Sequence, residues 1–231
     1  LTDELKWDYN VTNKSYDHVV IKGGSDYMPK PTFFNLPEDK RNRILEEAVI
    51  EFRDNNYDAA SINKIVERSG ISKGSFYQYF NDKEDVYLHI MSKIGEKKIE
   101  YLTPSMLNFS ELSFYDALRE MYRSAIEFAL ENPDYLEIGN RMMRDNSGIL
   151  QKLRSAFSVK GDEMFITLLR KGQETGDIRL DLDLQMIAKM LISMQMSIVE
   201  YYFEKHRDKG YSMEIMDELD KFFDVLKNGI S

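Results

Sequence analysis

The sequence predicts an all-α protein, with a three-helix N-terminal unit over 37–83 and a longer helical domain over 84–231, preceded by a leader or disordered arm at 1–36. Three observations carry this. After Pro37, apolar residues recur at steps of three and four, the period of helices with one buried face. Prolines, glycines and asparagines fall between these runs, where they start or end helices. Ser61 to Lys83, SINKIVERSGISKGSFYQYFNDK, fits two short helices and a glycine turn into 23 residues.

Composition narrows the function classes. The 231 residues suffice for a hydrophobic core without staples. The absence of cysteine excludes a disulfide framework, a thiolate zinc site and a cysteine nucleophile, and makes the cytoplasm the default location. A net charge of -9 argues against nonspecific coating of nucleic acid. With no apolar run of about 18 residues and no basic N-terminus leading into an apolar stretch, neither a membrane span nor a secretory signal is expected.

Leu1 to Tyr27 has Trp7, Tyr9, Tyr16 and the run Val19 Val20 Ile21, without helical periodicity; it reads as a leader, with an ordered arm as the alternative. Pro29, Pro31 and Pro37 keep the next segment extended. A helix from about Glu38 to Asn55 follows, with Ile44, Leu45, Ala48, Val49 and Phe52 as its buried stripe. Asn56 ends it in the left-handed conformation that asparagine tolerates. Tyr57 is expected to pack against that helix.

Ser61 is an N-cap candidate for the next helix, whose inward face is Ile62, Ile65 and Val66 and whose end is Gly70. Ser72 opens the third helix. Its Phe76 and Phe80 face inward, leaving Lys73, Ser75, Tyr77, Gln78 and Tyr79 outward. A short helix anchored by one side and carrying groups that bond phosphates and base edges on the other is what a DNA-reading helix-turn-helix requires. Tyrosine hydroxyls reach phosphates, and Gln78 can make paired bonds with an adenine edge. Asp82 caps the following helix, where Lys83 can meet a further phosphate. The stretch holds four basic and two acidic groups, a local charge of +2 in an acidic chain.

At these residues the chain resembles the TetR/AcrR family of one-component transcriptional regulators. The likeness covers about Arg41 to Ile94: RNRILEEAVIEF, the tyrosine of NNYDAAS, SINKIVERSGISKGSFYQYF, and NDKEDVY. By resemblance, Ser61, Asn63, Ser72, Lys73, Gly74, Ser75, Tyr77, Gln78, Tyr79 and Lys83 take the positions that meet DNA. Asn56 stands where the family commonly has glycine, and Gln78 and Tyr79 where tyrosine and histidine are frequent, which bears on the operator sequence.

Beyond the reader, a lever helix is expected from Asp82 to about Leu102, broken by Pro104. Further helices follow over Phe114 to Glu131, Pro133 to Arg144, up to Thr175, Leu184 to Phe203 and Met213 to Lys227. Leu184 to Phe203 has 14 apolar residues in 20 and must be covered on more than one side. A homodimer through the last long helices supplies that cover, and the resemblance implies the same, setting two readers on a palindromic double-stranded DNA operator.

Met121, Tyr122, Phe128, Met142, Met143, Phe157 and Phe165 are candidates to line a cavity for a small hydrophobic effector, against ordinary core as the competing reading. Arg141 and Arg144 could pair with an acidic ligand or stand in solvent. His18, His89 and His206 are too dispersed for a metal site, and no phosphate loop or nucleophile elbow appears, so neither a cofactor nor enzymatic activity is expected. The sequence thus reads as a ligand-responsive repressor, with an activator lacking an effector, or a helical small-molecule binding protein or enzyme with a vestigial reader, as alternatives.

Overall fold

The computed structural model describes residues 29–107, 112–144 and 148–229, with side chains described outside 103–107, 150–151 and 153–162. Leu1 to Tyr27 lies outside this range. The helices are α1 (Pro31–Phe34), α2 (Glu38–Asp54), α3 (Ile62–Ser69), α4 (Lys73–Tyr79), α5 (Lys83–Leu107), α6 (Phe114–Glu131), α7 (Pro133–Arg144), α8 (Ile149–Thr175), α9 (Leu184–Lys205) and α10 (Ile215–Asn228). No strand occurs among the described residues, as the all-α expectation requires.

The apolar stripe of α2 is buried as expected at Ile44, Ala48 and Phe52, with Leu45 and Val49 at its margin. Against it pack Ile65 and Val66 of α3, Phe76 and Phe80 of α4, and Val86, Tyr87 and Ile90 of α5. Gly70 closes α3 at φ 68°, where a side chain would be strained.

The extended reading of residues 29–36 is corrected. Pro31, with its preset φ, opens the four-residue helix α1, which sinks Phe33 completely into the core, 4.9 Å from the Phe80 ring. These residues belong to the N-terminal unit. Two smaller expectations also change, at Asn56 and at Pro104. Helix α2 ends with Asn55 extended rather than on a left-handed asparagine, and Asn56 works through its side chain, whose Oδ1 accepts from Ala59 N at 3.0 Å. Tyr57 packs against the core that α2 helps to build, its ring centroid 5.1 Å from that of Tyr87 of α5. Helix α5 runs through Pro104 to Leu107, since proline costs one backbone bond but its φ remains helical.

The first core does not close at residue 83. Phe128, Ile138 and Ile149, from α6, α7 and α8, join it. A second core is built from α6, α8, α9 and α10 around Leu118, Tyr122, Leu168, Leu191, Tyr202 and Leu219. Its helices are capped locally: Ser113 Oγ accepts from Asp116 N at 3.2 Å, and Asp183 Oδ1 accepts from Gln185 N and Met186 N at 2.9 and 3.1 Å. Gly172 permits close packing, because a Cβ there would lie 2.7 Å from Ile178 and 3.1 Å from Phe114. Helix α9 is two-sided. It buries Ala188, Leu191 and Tyr202 and leaves Met186, Met190, Ser193, Ser197 and Tyr201 exposed along one stripe.

His89 on α5 is buried among Phe33, Phe34 and Phe80. Desolvation pushes its pKa down to about 4, with the charge of Lys93 acting in the same direction. Below pH 6.5 the unfolded chain therefore takes up a proton that the folded chain refuses, and stability falls from there towards pH 4. Buried Asp85, one turn earlier, is shifted up by desolvation and acts in the opposite sense. Comparing urea unfolding of the wild type with that of His89→Phe cancels this second effect. Between pH 7 and pH 5 the wild type should lose about 2 kcal/mol more than the variant.

Candidate nucleic-acid interface

Helix α4 has only seven residues, too few to be stable alone, and is held from three sides. Phe76, Tyr79 and Phe80 anchor it in the core. At its N-terminus the Ser72 hydroxyl accepts from Ser75 N at 3.0 Å, the expected cap. At its C-terminus the α1 segment meets the carbonyls that no helical partner satisfies. Lys30 N donates to Tyr79 O at 2.7 Å, Lys30 Nζ donates to Tyr77 O at 2.8 Å, and the Thr32 hydroxyl donates to Gln78 O.

This leaves one open face. Ser72, Lys73, Gly74, Tyr77 and Gln78 are exposed, Ser75 is half-buried, and Asn63 of α3 is exposed nearby in sequence. Residues 73, 74, 77 and 78 form a single helical stripe opposite the anchoring aromatics. A Cβ at Gly74 would meet only Ser72 Oγ, at 3.8 Å, so no internal packing demands glycine there.

Two expected contact residues stand differently, and one expected cap is not made. Tyr79 is buried, because α1 covers the side of α4 that would otherwise be open. Lys83 turns inward, donating to Asp58 O at 3.0 Å and Ala60 O at 3.1 Å with its ammonium over the Tyr57 ring. Ser61 occupies the N-cap position of α3 but its hydroxyl makes no capping bond.

The backbone N–H of Ser61 donates instead to Glu51 Oε1 at 3.0 Å, and Asn55 Nδ2 donates to the same oxygen at 3.1 Å. Glu51 is fully buried on α2, with Lys64 Nζ at 3.9 Å and Arg68 Nη1 at 3.4 Å. Two of the four cations in the +2 stretch therefore lean on an internal carboxylate. The contribution of Glu51 is not apparent from sequence spacing; its one signal there is an acidic residue at the i+4 position after Glu47 beside the apolar Phe52.

The candidate cavity residues are not one cluster. Met121, Tyr122 and Phe165 lie in the second core, whereas Phe128 is in the first core with Met142 at its edge. Met143 is exposed, at 37%, because it falls on the outer side of α7, and the Phe157 side chain is outside the described set. Arg141 pairs with Glu137 at 3.1 Å and donates to Arg53 O, so it binds α7 to α2. Among the described residues no group of three or more potential ligands could hold a metal ion, and no helix is long and apolar enough to cross a membrane.

A compact helix-turn-helix with a polar outer face, joined through a long helix to a second helical core, is the architecture of a helix-turn-helix DNA-binding regulator. Residues 44–90 match the family described as bacterial regulatory proteins, tetR family. An uncharacterized HTH-type transcriptional regulator of Bacillus subtilis, YfiR, is 28% identical over 178 residues, 74% of this chain and 84% of its own length. The crystal structure of a TetR family transcriptional regulator from Chloroflexus aurantiacus superposes with a TM-score of 0.62 at 28% identity, over 87% of this chain and 98% of that one. FadR of Bacillus subtilis, solved in complex with stearoyl-CoA, shares the fold with a TM-score of 0.66 at 17% identity, over 82% of this chain and 99% of that one. Residues 44–90 thus form the N-terminal domain of the TetR family, and the likeness to TetR-family transcriptional regulators runs along most of the chain.

Removing the buried carboxylate leaves Ser61 N–H without its acceptor and frees both ends of the α2–α3 loop. Glu51→Ala should cost about 2–4 kcal/mol in urea unfolding, and Glu51→Gln, which keeps an acceptor, clearly less.

Proposed function

We propose that the protein is a repressor that binds a palindromic operator as a homodimer and is released when a small hydrophobic molecule enters its C-terminal domain. The observation that carries the reading is the open stripe of Lys73, Gly74, Tyr77 and Gln78 on a helix otherwise locked into the core. In this reading Lys73 and the hydroxyls of Ser72, Ser75 and Tyr77 hold phosphates, Asn63 flanks them from α3, and Gln78 reads a base edge. The open space over Gly74 admits close approach of a DNA backbone.

The exposed stripe of α9 supports the dimer. Methionines and an aromatic alternate there with two serines small enough for close helix contact, and covering them removes apolar surface from water. Two such readers placed about 34 Å apart meet successive major grooves on one side of DNA. The effector reading draws on the methionines and aromatics of the two cores and on FadR, a protein of the same fold whose complex holds a long acyl chain. To act as a switch the ligand must favour the DNA-incompetent arrangement by about 1–3 kcal/mol.

Gel-shift titration on palindromic fragments tests the reading. Lys73→Ala combined with Tyr77→Phe should weaken binding across all sequences and lower the salt dependence by about one counterion. Gln78→Ala should instead relax preference at one base step. Wild-type protein that binds no palindromic fragment at low salt would overturn the DNA assignment, and binding that no saturating ligand alters would overturn the switch.

A further inference from the structure

We propose that Lys30 and Thr32, which precede the helix-turn-helix, set operator discrimination by positioning Gln78; this rests on the DNA reading above. An α-helix leaves the four carbonyls at its end without helical partners. In α4 all four are nevertheless bonded. Phe80 N donates to Phe76 O at 2.9 Å, and the carbonyls of Tyr77, Gln78 and Tyr79 receive Lys30 Nζ, the Thr32 hydroxyl and Lys30 N in turn. Two residues outside the motif thus close the turn that carries Tyr77 and Gln78.

The support itself is fixed. Phe33, the next residue after Thr32, is fully buried, its ring 4.9 Å from that of Phe80 and 6.0 Å from His89 of α5. Thr32 is exposed, so losing its hydroxyl leaves the core untouched and acts only on the turn it holds. The two ends of α4 divide the work. At the N-terminal end Lys73 and the hydroxyls of Ser72 and Ser75 are placed by the Ser72 cap, which does not involve α1. Phosphate contacts made there carry charge but no sequence information, whereas paired bonds to a base edge require Gln78 to be held within about 0.5 Å. Loosening the last turn therefore costs discrimination before it costs affinity for DNA in general.

The probe is the duplex that the full wild-type chain selects from a randomised palindromic pool, with a scrambled duplex of equal length as the nonspecific reference. Thr32→Val removes the hydroxyl and keeps the shape. It should lower the ratio of selected to scrambled affinity by about fivefold or more, while scrambled affinity and salt dependence stay at wild-type values. Thr32→Ser should restore the ratio. In a Gln78→Ala background Thr32→Val should cost no further discrimination, because the side chain it positions is gone. Lys30→Met should behave as Thr32→Val does. A merely structural role lowers both affinities together by reducing the folded fraction and leaves their ratio intact. That result, or a loss that adds to that of Gln78→Ala, overturns the inference and leaves the DNA reading standing. A salt slope reduced by about one in Lys30→Met makes Lys30 a phosphate contact and overturns its positioning role. If the wild type selects no sequence from the pool, the DNA reading falls and the inference with it.

Discussion

One buried carboxylate sets the geometry on which the reader depends. Glu51 Oε1 receives both Asn55 Nδ2 and Ser61 N, groups at the two ends of the α2–α3 connection, so a single oxygen closes that loop. Desolvating a carboxylate is expensive, and two neutral donors would not offset it without the nearby charges of Lys64 and Arg68 on α3. The same pairs tie α3 down onto α2. Lys83 completes the arrangement from the other side, since its ammonium binds Asp58 O and Ala60 O in that loop. The angle of α3, and through the turn at Gly70 that of α4, follows from these contacts and the aromatic core beneath them.

The recognition helix is fixed by a second device of the same kind. A seven-residue helix exposes a large share of its backbone groups as unpaired ends, and a free end frays. Ser72 closes one end locally. The other end is closed by Lys30 and Thr32, more than forty residues away in sequence, while Phe33 presses on the aromatic anchors. The segment before α2 is therefore part of the reader's structure, and the outward face of α4 is limited to what α1 leaves uncovered.

Much of the fold was legible because it depends on local spacing. The periodic stripe of α2, the glycine stop at Gly70, the cap at Ser72 and the inward pair Phe76 and Phe80 are consequences of helix geometry, and all are found. What escaped depends on partners distant in sequence. Tyr79 reads as outward on α4 alone and is buried only because α1 lies over it. Lys83 reads as a phosphate contact until the loop carbonyls are in place beside it. The seven cavity candidates share a composition but not a core, because helical period cannot say which of two cores a buried face enters.

How firmly α5 is held along its length follows from what the two cores bind together. The reader, the first half of α5 and parts of α6, α7 and α8 share the first core, and Arg141 and the Arg53–Asp134 pair at 3.2 Å further bolt α7 to α2. A rotation of α5 against α2 would tear that core open, at a cost of many buried side chains. Between the buried Ile94 and Leu102 the helix stays in touch with the first core through Tyr101, whose ring lies 5.5 Å from that of Phe128. There residues 97–100 are all exposed, and Gly95, with no atom within 4 Å of a Cβ position, weakens the helix just before them. The least clad part of α5 is thus residues 97–100, between the stretches that the two cores hold most firmly.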